Sequence, residues 1–167
     1  HEILVVYDEP VDDTIAVVRA HREEHPHVRL VHNGLGRGVA NAIRSGISAA
    51  QGDAVLIFAV DETGPVLAIH EMLTLMDHGC DLVSCTRYAR GGRRLGGSVM
   101  GGVLSRVANG LFRWLTGSAL TDSTTGIKMV RRSVFEHITL EATSRSWAVA
   151  FELAIKVQLA GLKVGEV

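Results

Sequence analysis

Short apolar runs separated by helical stretches constrain this chain more than any other feature. Residues 3–6, 28–32, 54–60 and 81–85 each read as a strand. The first and third are continuous rather than alternating, the pattern of strands buried on both faces. Asp12 or Asp13 can cap a helix running to about His25, with Ile15, Val17 and Val18 on its inner face; Pro26 stops it. A second helix is expected over 39–50, closed by Gly52, and a third over 66–77. Such alternation predicts an α/β fold, a mostly parallel sheet with right-handed crossovers and flanking helices.

The second half is less regular. Residues 98–115 read as a long helix, apolar nearly all round, with Arg106 and Arg113 as its charges. That pattern fits an interfacial helix and a central core helix equally. A short strand over 127–130, a helix over 147–159 ended by Gly161, and a strand over 162–167 follow. At 167 residues the natural prior is one domain, 1–167, and 47% hydrophobic residues suffice for its core. A net charge of -1 argues against nucleic acid held by bulk charge. No apolar run approaches the roughly 18 residues that span a bilayer. Cys80 and Cys85 lack Cys-x-x-Cys spacing and suggest neither a zinc site nor a disulfide framework. Cys85, in an apolar segment, is expected to be a buried thiol in a reducing compartment.

Ligands of open α/β sheets bind at the carboxyl ends of the strands. There the sequence places Asp8, Glu9, Asp12 and Asp13; then Asp61 and Glu62; then Arg87, Arg90, Arg93 and Arg94. Asp8 reads equally as a strand-end turn residue and as a ligand. Asp12 and Asp13 read first as helix caps. Gly34, Gly36 and Gly38 precede a helix N-terminus, which invites a phosphate, but they form neither a Walker A loop nor a dinucleotide fingerprint. Arg37 in that turn reads as solvated first and as a ligand contact second. The arginine loop is sharper, because a planar guanidinium fork suits phosphate oxygens and the adjacent glycines let a loop close. Arg87 directly follows a buried strand. The eight histidines fall into no ligand spacing, and His1, His21, His25 and His27 read as surface residues.

Taken in order, these segments resemble the family 2 inverting glycosyltransferases of GT-A (Rossmann-like) fold, and most closely the dolichyl- and polyprenyl-phosphate sugar synthases. "EILVVYDEPVDDT" is similar to that family's "VVDDGSTDGT"; "LGRGVANAIRSGISAAQGDAVLIFAVDETGP" to its "GKG…A…GI..A.GD…DAD"; "DLVSCTRYARGGRR" to its "D.V.GSRY..GG". "SRVANGLFRWLTGSALTDSTTGIKMVRRSVFE" resembles "SR.AN…LL.G….D.T.GF..YRR.V", and "FELAIKVQLAGLKVGEV" resembles "E…KA...G..V.EVP". The resemblance covers essentially the whole chain.

The resemblance implies a nucleoside-diphosphate sugar donor, a polyprenyl-phosphate acceptor, transfer with inversion, Mg²⁺ or Mn²⁺ as cofactor, and a cytoplasmic protein peripheral to the membrane surface of the cell envelope, with no nucleic-acid partner. Asp8, with Glu9 and Arg37 beside it, would contact the nucleotide. Asp61 falls on the second acid of the family's Asp-x-Asp pair, near diphosphate and metal, with Glu62 as a second metal candidate. Arg87 falls on the arginine of "SRY", Arg93 and Arg94 lie in the loop over the reacting groups, and Asp122 falls on the acid before "T.G". Two departures stand out. Ala59 replaces the first acid of the pair, and Tyr7 the first acid of "DD". The family's opening strand–helix unit, roughly 30–40 residues, has no counterpart, so the domain reads as N-terminally truncated, with an exposed apolar sheet edge or face expected. Two other functions fit: a family 2 transferase acting on a sugar hydroxyl, with Asp122 or Glu152 as general base, and a non-catalytic sugar-nucleotide-binding module.

Overall fold

A computed structural model describes residues 1–59, 64–88, 99–143 and 148–167. Asp61, Glu62, Arg90, Arg93 and Arg94 lie outside these described residues. The elements in order are β1 (Ile3–Tyr7), α1 (Asp13–Ala20), β2 (Val28–His32), α2 (Val39–Ala49), β3 (Ala54–Ile57), α3 (Ile69–Asp77), β4 (Leu82–Ser84), α4 (Val99–Thr116), β5 (Lys128–Arg131), α5 (Ala148–Leu159) and β6 (Val164–Glu166). Single turns of 3₁₀ helix precede α3 (Gly64–Ala68) and follow β5 (Arg132–Glu136).

The strands form two sheets. β1 and β2 pair in parallel. The other four lie in the order β3-β5-β4-β6. β5 runs antiparallel to both neighbours, so β3, β4 and β6 share one direction. The predicted α/β architecture and dominant strand direction are present; the antiparallel β5 is an addition to the sequence reading. It enters between strands that already run the other way, an arrangement that needs no crossover helix. Among the described residues β1, β2, β3 and β6 each keep one edge without a strand partner. Ile3 of β1 and Phe58, just past β3, stay partly exposed.

Residues alternate across the four-stranded sheet and divide the core in two. Leu82 and Val130 pair and face one way, packing with Ala40 of α2 and with Val149, Leu153, Ala154 and Val157 of α5. Val83 and Met129 face the other way, against Met72 and Met76 of α3 and Cys80. α5 is apolar on nearly every side because it is buried on nearly every side.

Three local expectations change. α1 ends at Ala20, five residues before His25, and the segment up to Pro26 forms turns; the His21 N–H bonds back to Val17 but the helix goes no further. Helix formation is disfavoured in the residue before a proline, and here the effect spreads back through a charged, unburied segment. Cys85 is half-buried, whereas Cys80 is the buried thiol; neither forms a disulfide.

The third change concerns α4, for which the sequence left two readings open. Its inner face is narrow: Ser105, Asn109 and Phe112, with Phe112 and Phe151 rings 4.4 Å apart. Met100, Val103, Leu104, Val107, Leu111, Trp114 and Leu115 all lie exposed. α4 is therefore not a core helix of this chain. Leu153, fully buried in the larger cluster, gives the direct test of the core. Leu153→Ala is expected to lower stability by about 2–5 kcal/mol, read as a shift in urea midpoint with an unchanged slope.

Candidate active site

Two clusters form at strand ends. The first lies beyond β1 and β2. Asp8 accepts hydrogen bonds from the Asn33 side-chain amide at 2.7 Å and from the Gly38 backbone N–H at 3.0 Å. Asn33 is itself buried and bonds the Gly36 carbonyl, the Leu35 N–H and the Ser45 hydroxyl. Gly36 and Gly38 adopt φ of 93° and 130°, backbone that residues with a Cβ rarely accept. Asp8 thus acts as a turn residue: it satisfies an otherwise orphaned donor at the start of α2, and it fixes the turn over residues 33–38. Arg37 pairs with Glu9 at 2.9 Å, both well exposed. Asp12 caps α1 through the Thr14 N–H, as the spacing predicts.

These residues border a cavity of roughly 530 Å³ lined by Tyr7, Asp8, Glu9, Asp13, Arg37 and Val39 among others. The geometry therefore gathers Asp8, Glu9 and Arg37 around one opening. Carboxylates outnumber cations there, and the one arginine is already paired. Such a lining suits ligand hydroxyl and N–H donors better than phosphate oxygens. The phosphate reading of the glycine turn weakens accordingly, because a carboxylate already occupies the Gly38 N–H.

The second cluster sits at the ends of β4 and β6. Arg87 grips Asp122 bidentately, Nε to Oδ2 at 2.6 Å and a terminal nitrogen to Oδ1 at 2.9 Å. The same guanidinium reaches the Thr124 hydroxyl at 2.8 Å. Asp122 is fully buried, while the Arg87 side chain is 32% exposed. Burial alone would raise the Asp122 pKa; the Arg87 hydrogen bonds and charge, helped by Thr124, outweigh it and hold the carboxyl below its ordinary value. The Glu166 carboxylate accepts the N–H groups of Thr121 and Asp122 at 2.6 and 3.0 Å. Asn109 of α4 bonds the Ser123 N–H at 2.9 Å and the Thr124 hydroxyl. Tyr88 bonds Ser105 of α4, and the Arg87 and Arg106 guanidinium carbons lie 5.2 and 5.3 Å from its ring centre. The loop carrying Asp122 is therefore held from β4, β6 and α4 at once.

Behind this cluster lies Lys128, which sequence reasoning missed. It is the largest fully buried side chain among the described residues, and its ammonium donates to the Ser84 hydroxyl at 2.9 Å. One lysine inside the apolar string "IKMV" was the available signal. Asn109 and Glu166 were also missed; each sits within a quoted motif without a distinguishing spacing.

The remaining candidates divide clearly. Arg87 and Asp122 are brought together; Asp61, Glu62, Arg93 and Arg94 lie outside the described residues. Among the described residues no group of three or more His, Cys, Asp or Glu side chains could hold a metal. Glu152 accepts the Glu141 and Ala142 N–H groups and pairs with Lys156 at 2.8 Å. Burial would raise its pKa, but Lys156 and the two backbone donors bring it below its ordinary value.

A sequence profile of glycosyl transferase family 2 matches residues 1–139. The chain belongs to glycosyl transferase family 2. Glycosyltransferase AglD of Haloferax volcanii is 28% identical over 99% of this chain and 26% of its own length. Polyprenol monophosphomannose synthase of Mycolicibacterium smegmatis is 30% identical over 99% of this chain and 64% of its own. The chain thus spans less than two thirds of either relative. Among solved structures, glucosyl-3-phosphoglycerate synthase of Mycobacterium tuberculosis aligns over 99% of this chain and 59% of its own, at 20% identity and a TM-score of 0.69. At that identity the likeness speaks for the fold alone, which is GT-A.

The Arg87–Asp122 pair makes a stability prediction. A carboxyl whose pKa is depressed on folding contributes stability above its unfolded value, lost as pH falls through the folded value. Asp122→Asn is expected to cost about 3 kcal/mol, because it leaves Arg87 without its buried counter-charge. It should also remove part of the acid-side slope in a stability–pH curve. An unchanged melting temperature at neutral pH would refute the structural weight given to this pair.

Proposed function

We propose that this domain transfers a sugar from a nucleoside-diphosphate donor to a polyprenyl phosphate, with inversion. The observation that carries the reading is the state of the two candidate bases. The oxygens of Asp122 and Glu152 are committed to hydrogen bonds, and both groups are held below their ordinary pKa values. A sugar hydroxyl needs a base to take its proton; a phosphate acceptor is already ionised near neutral pH and needs positioning instead. This favours the phosphate acceptor over the hydroxyl acceptor. The 30% identity to a polyprenol monophosphomannose synthase supports the same choice.

In this reading the nucleoside lies in the cavity bordered by Asp8, Glu9 and Arg37. The diphosphate lies toward Asp61 and the arginines. An acceptor phosphate oxygen attacks the anomeric carbon as the bond to the donor diphosphate breaks. Charge develops on the leaving diphosphate, and the cations Arg87, Arg93 and Arg94 stabilise it. A divalent ion held by Asp61, with Glu62, would neutralise the same charge; a solved relative of this fold binds Mn²⁺ with UDP-glucose. Turnover of the full-length protein with a panel of radiolabelled nucleotide sugars and polyprenyl phosphate tests this. Asp61→Ala and EDTA are each expected to abolish transfer while leaving the fold intact. Near-normal turnover in Asp61→Ala would sink the assignment.

The same reading seats α4 on the membrane surface where such an acceptor resides. Residues 82–121 carry six arginines and no acid: Arg87, Arg90, Arg93, Arg94, Arg106 and Arg113. An exposed apolar helix face with basic flanks and a tryptophan suits an anionic bilayer surface. Among the described residues no helix is long and apolar enough to cross a membrane. Trp114 fluorescence is expected to shift to the blue on adding phosphatidylglycerol vesicles, more at low salt than at high. Leu104→Asp with Val107→Asp should weaken vesicle binding by about tenfold or more. Undiminished binding in that variant would remove α4 from the interface.

A further inference from the structure

Tyr7 stands where the family pattern carries an acid, and the transfer just described leaves it without a role. It closes β1 and pairs in register with His32 of β2, their ring centres 5.3 Å apart. Strand alternation turns Val6 toward α2, where Gly46 approaches it, and turns Tyr7 to the opposite face. The Tyr7 carbonyl accepts the Asn33 N–H at 2.9 Å, which ties the backbone under the ring to the segment after β2. The side chain is half-buried and borders the cavity beyond β1.

A nucleobase offers a cavity hydrogen bonds along its edge and dispersion over its faces. Most of the polar lining here is already engaged. Asp8 holds Asn33 and Gly38, Glu9 pairs with Arg37, and Asp12 caps α1. For the faces, the lining supplies aliphatic side chains and one planar group: Tyr7 is the only aromatic residue among the described residues that border the cavity. A flat ring meets the flat face of a base over a wide area and gives up little side-chain freedom in doing so. We infer that Tyr7 is the base-stacking residue of the donor cavity, the nucleobase packing against the face of its ring. An acid at this position would offer a hydrogen-bond acceptor to a base edge. The tyrosine offers a surface instead, one that any base can use.

The inference rests on placing the nucleoside in this cavity, and its test reads binding rather than turnover. Calorimetry compares GDP, UDP and inorganic pyrophosphate on the full-length protein, with Mg²⁺ held constant, as wild type, Tyr7→Phe and Tyr7→Leu. The better-bound nucleotide should bind wild type more tightly than pyrophosphate does. Tyr7→Phe should keep that affinity within about twofold. Tyr7→Leu, which retains bulk without a planar face, should lose about tenfold. Pyrophosphate should bind all three proteins alike. A second measurement does not depend on the leucine variant folding. In protein deuterated except at its tyrosine rings, saturating the ring protons should transfer to the base protons of the bound nucleotide. That transfer should vanish in Tyr7→Phe while the nucleotide stays bound.

Equal nucleotide affinity in Tyr7→Leu and wild type would overturn the role of the ring. So would a nucleotide loss matched by an equal pyrophosphate loss, the mark of general damage. Transfer from tyrosine to base that is absent in wild type, or unchanged in Tyr7→Phe, would overturn it as well. A nucleotide bound to wild type no more tightly than pyrophosphate counts instead against the nucleoside cavity itself, and removes the inference with it.

Discussion

The architecture around the candidate site depends on one buried ion pair. Asp122 is sealed from solvent, and Arg87 is the cation that makes an ionised carboxylate tolerable there. Because Arg87 lies just beyond β4, which ends at Ser84, the pair anchors the segment that leaves that strand. Because Asp122 shares its loop with the partners of Asn109 and Glu166, the pair also fixes how α4 and β6 meet that loop. A hydrophobic contact of the same size would hold these segments together. It would not present a guanidinium, partly exposed and already oriented, at the ends of the parallel strands.

The stretches of chain that lead into the two strand-end clusters differ in charge, and the difference has a chemical use. Around Asp8 the lining is rich in carboxylates, a setting for hydroxyl and N–H donors. From residue 82 to 121 the chain carries arginine and no acid, a setting for phosphate. A nucleotide sugar has both kinds of surface, its nucleoside at one end and its charged diphosphate at the other. The proposed orientation follows from that polarity, and α4 extends the basic side into an apolar face turned to solvent.

Much of the fold was legible because it is local. Continuous apolar runs marked the buried strands, and Asp12 and Gly161 marked helix ends through chemistry that acts over a few residues. What escaped was nonlocal or degenerate. Asp8 and Asn33 are 25 residues apart, and Arg87 and Asp122 are 35 apart; no periodicity links such pairs, so resemblance pointed to their positions but not to their partners. α4 escaped because an all-round apolar pattern is the same whether a helix is buried or meets a surface, and only its packing separates the two. Lys128 escaped because a lone lysine in an apolar strand reads as an edge residue until the strand proves central. The first strands were also read as one sheet, whereas β1 and β2 pair apart from the other four.

The central claim is that the acceptor atom is a phosphate oxygen. ³¹P NMR of a polyprenyl phosphate incubated with the full-length protein and its nucleotide sugar tests this most directly. Conversion of the lipid phosphomonoester resonance to a phosphodiester, in step with nucleoside diphosphate release, is the predicted result. Release of nucleoside diphosphate with the monoester resonance unchanged would contradict it.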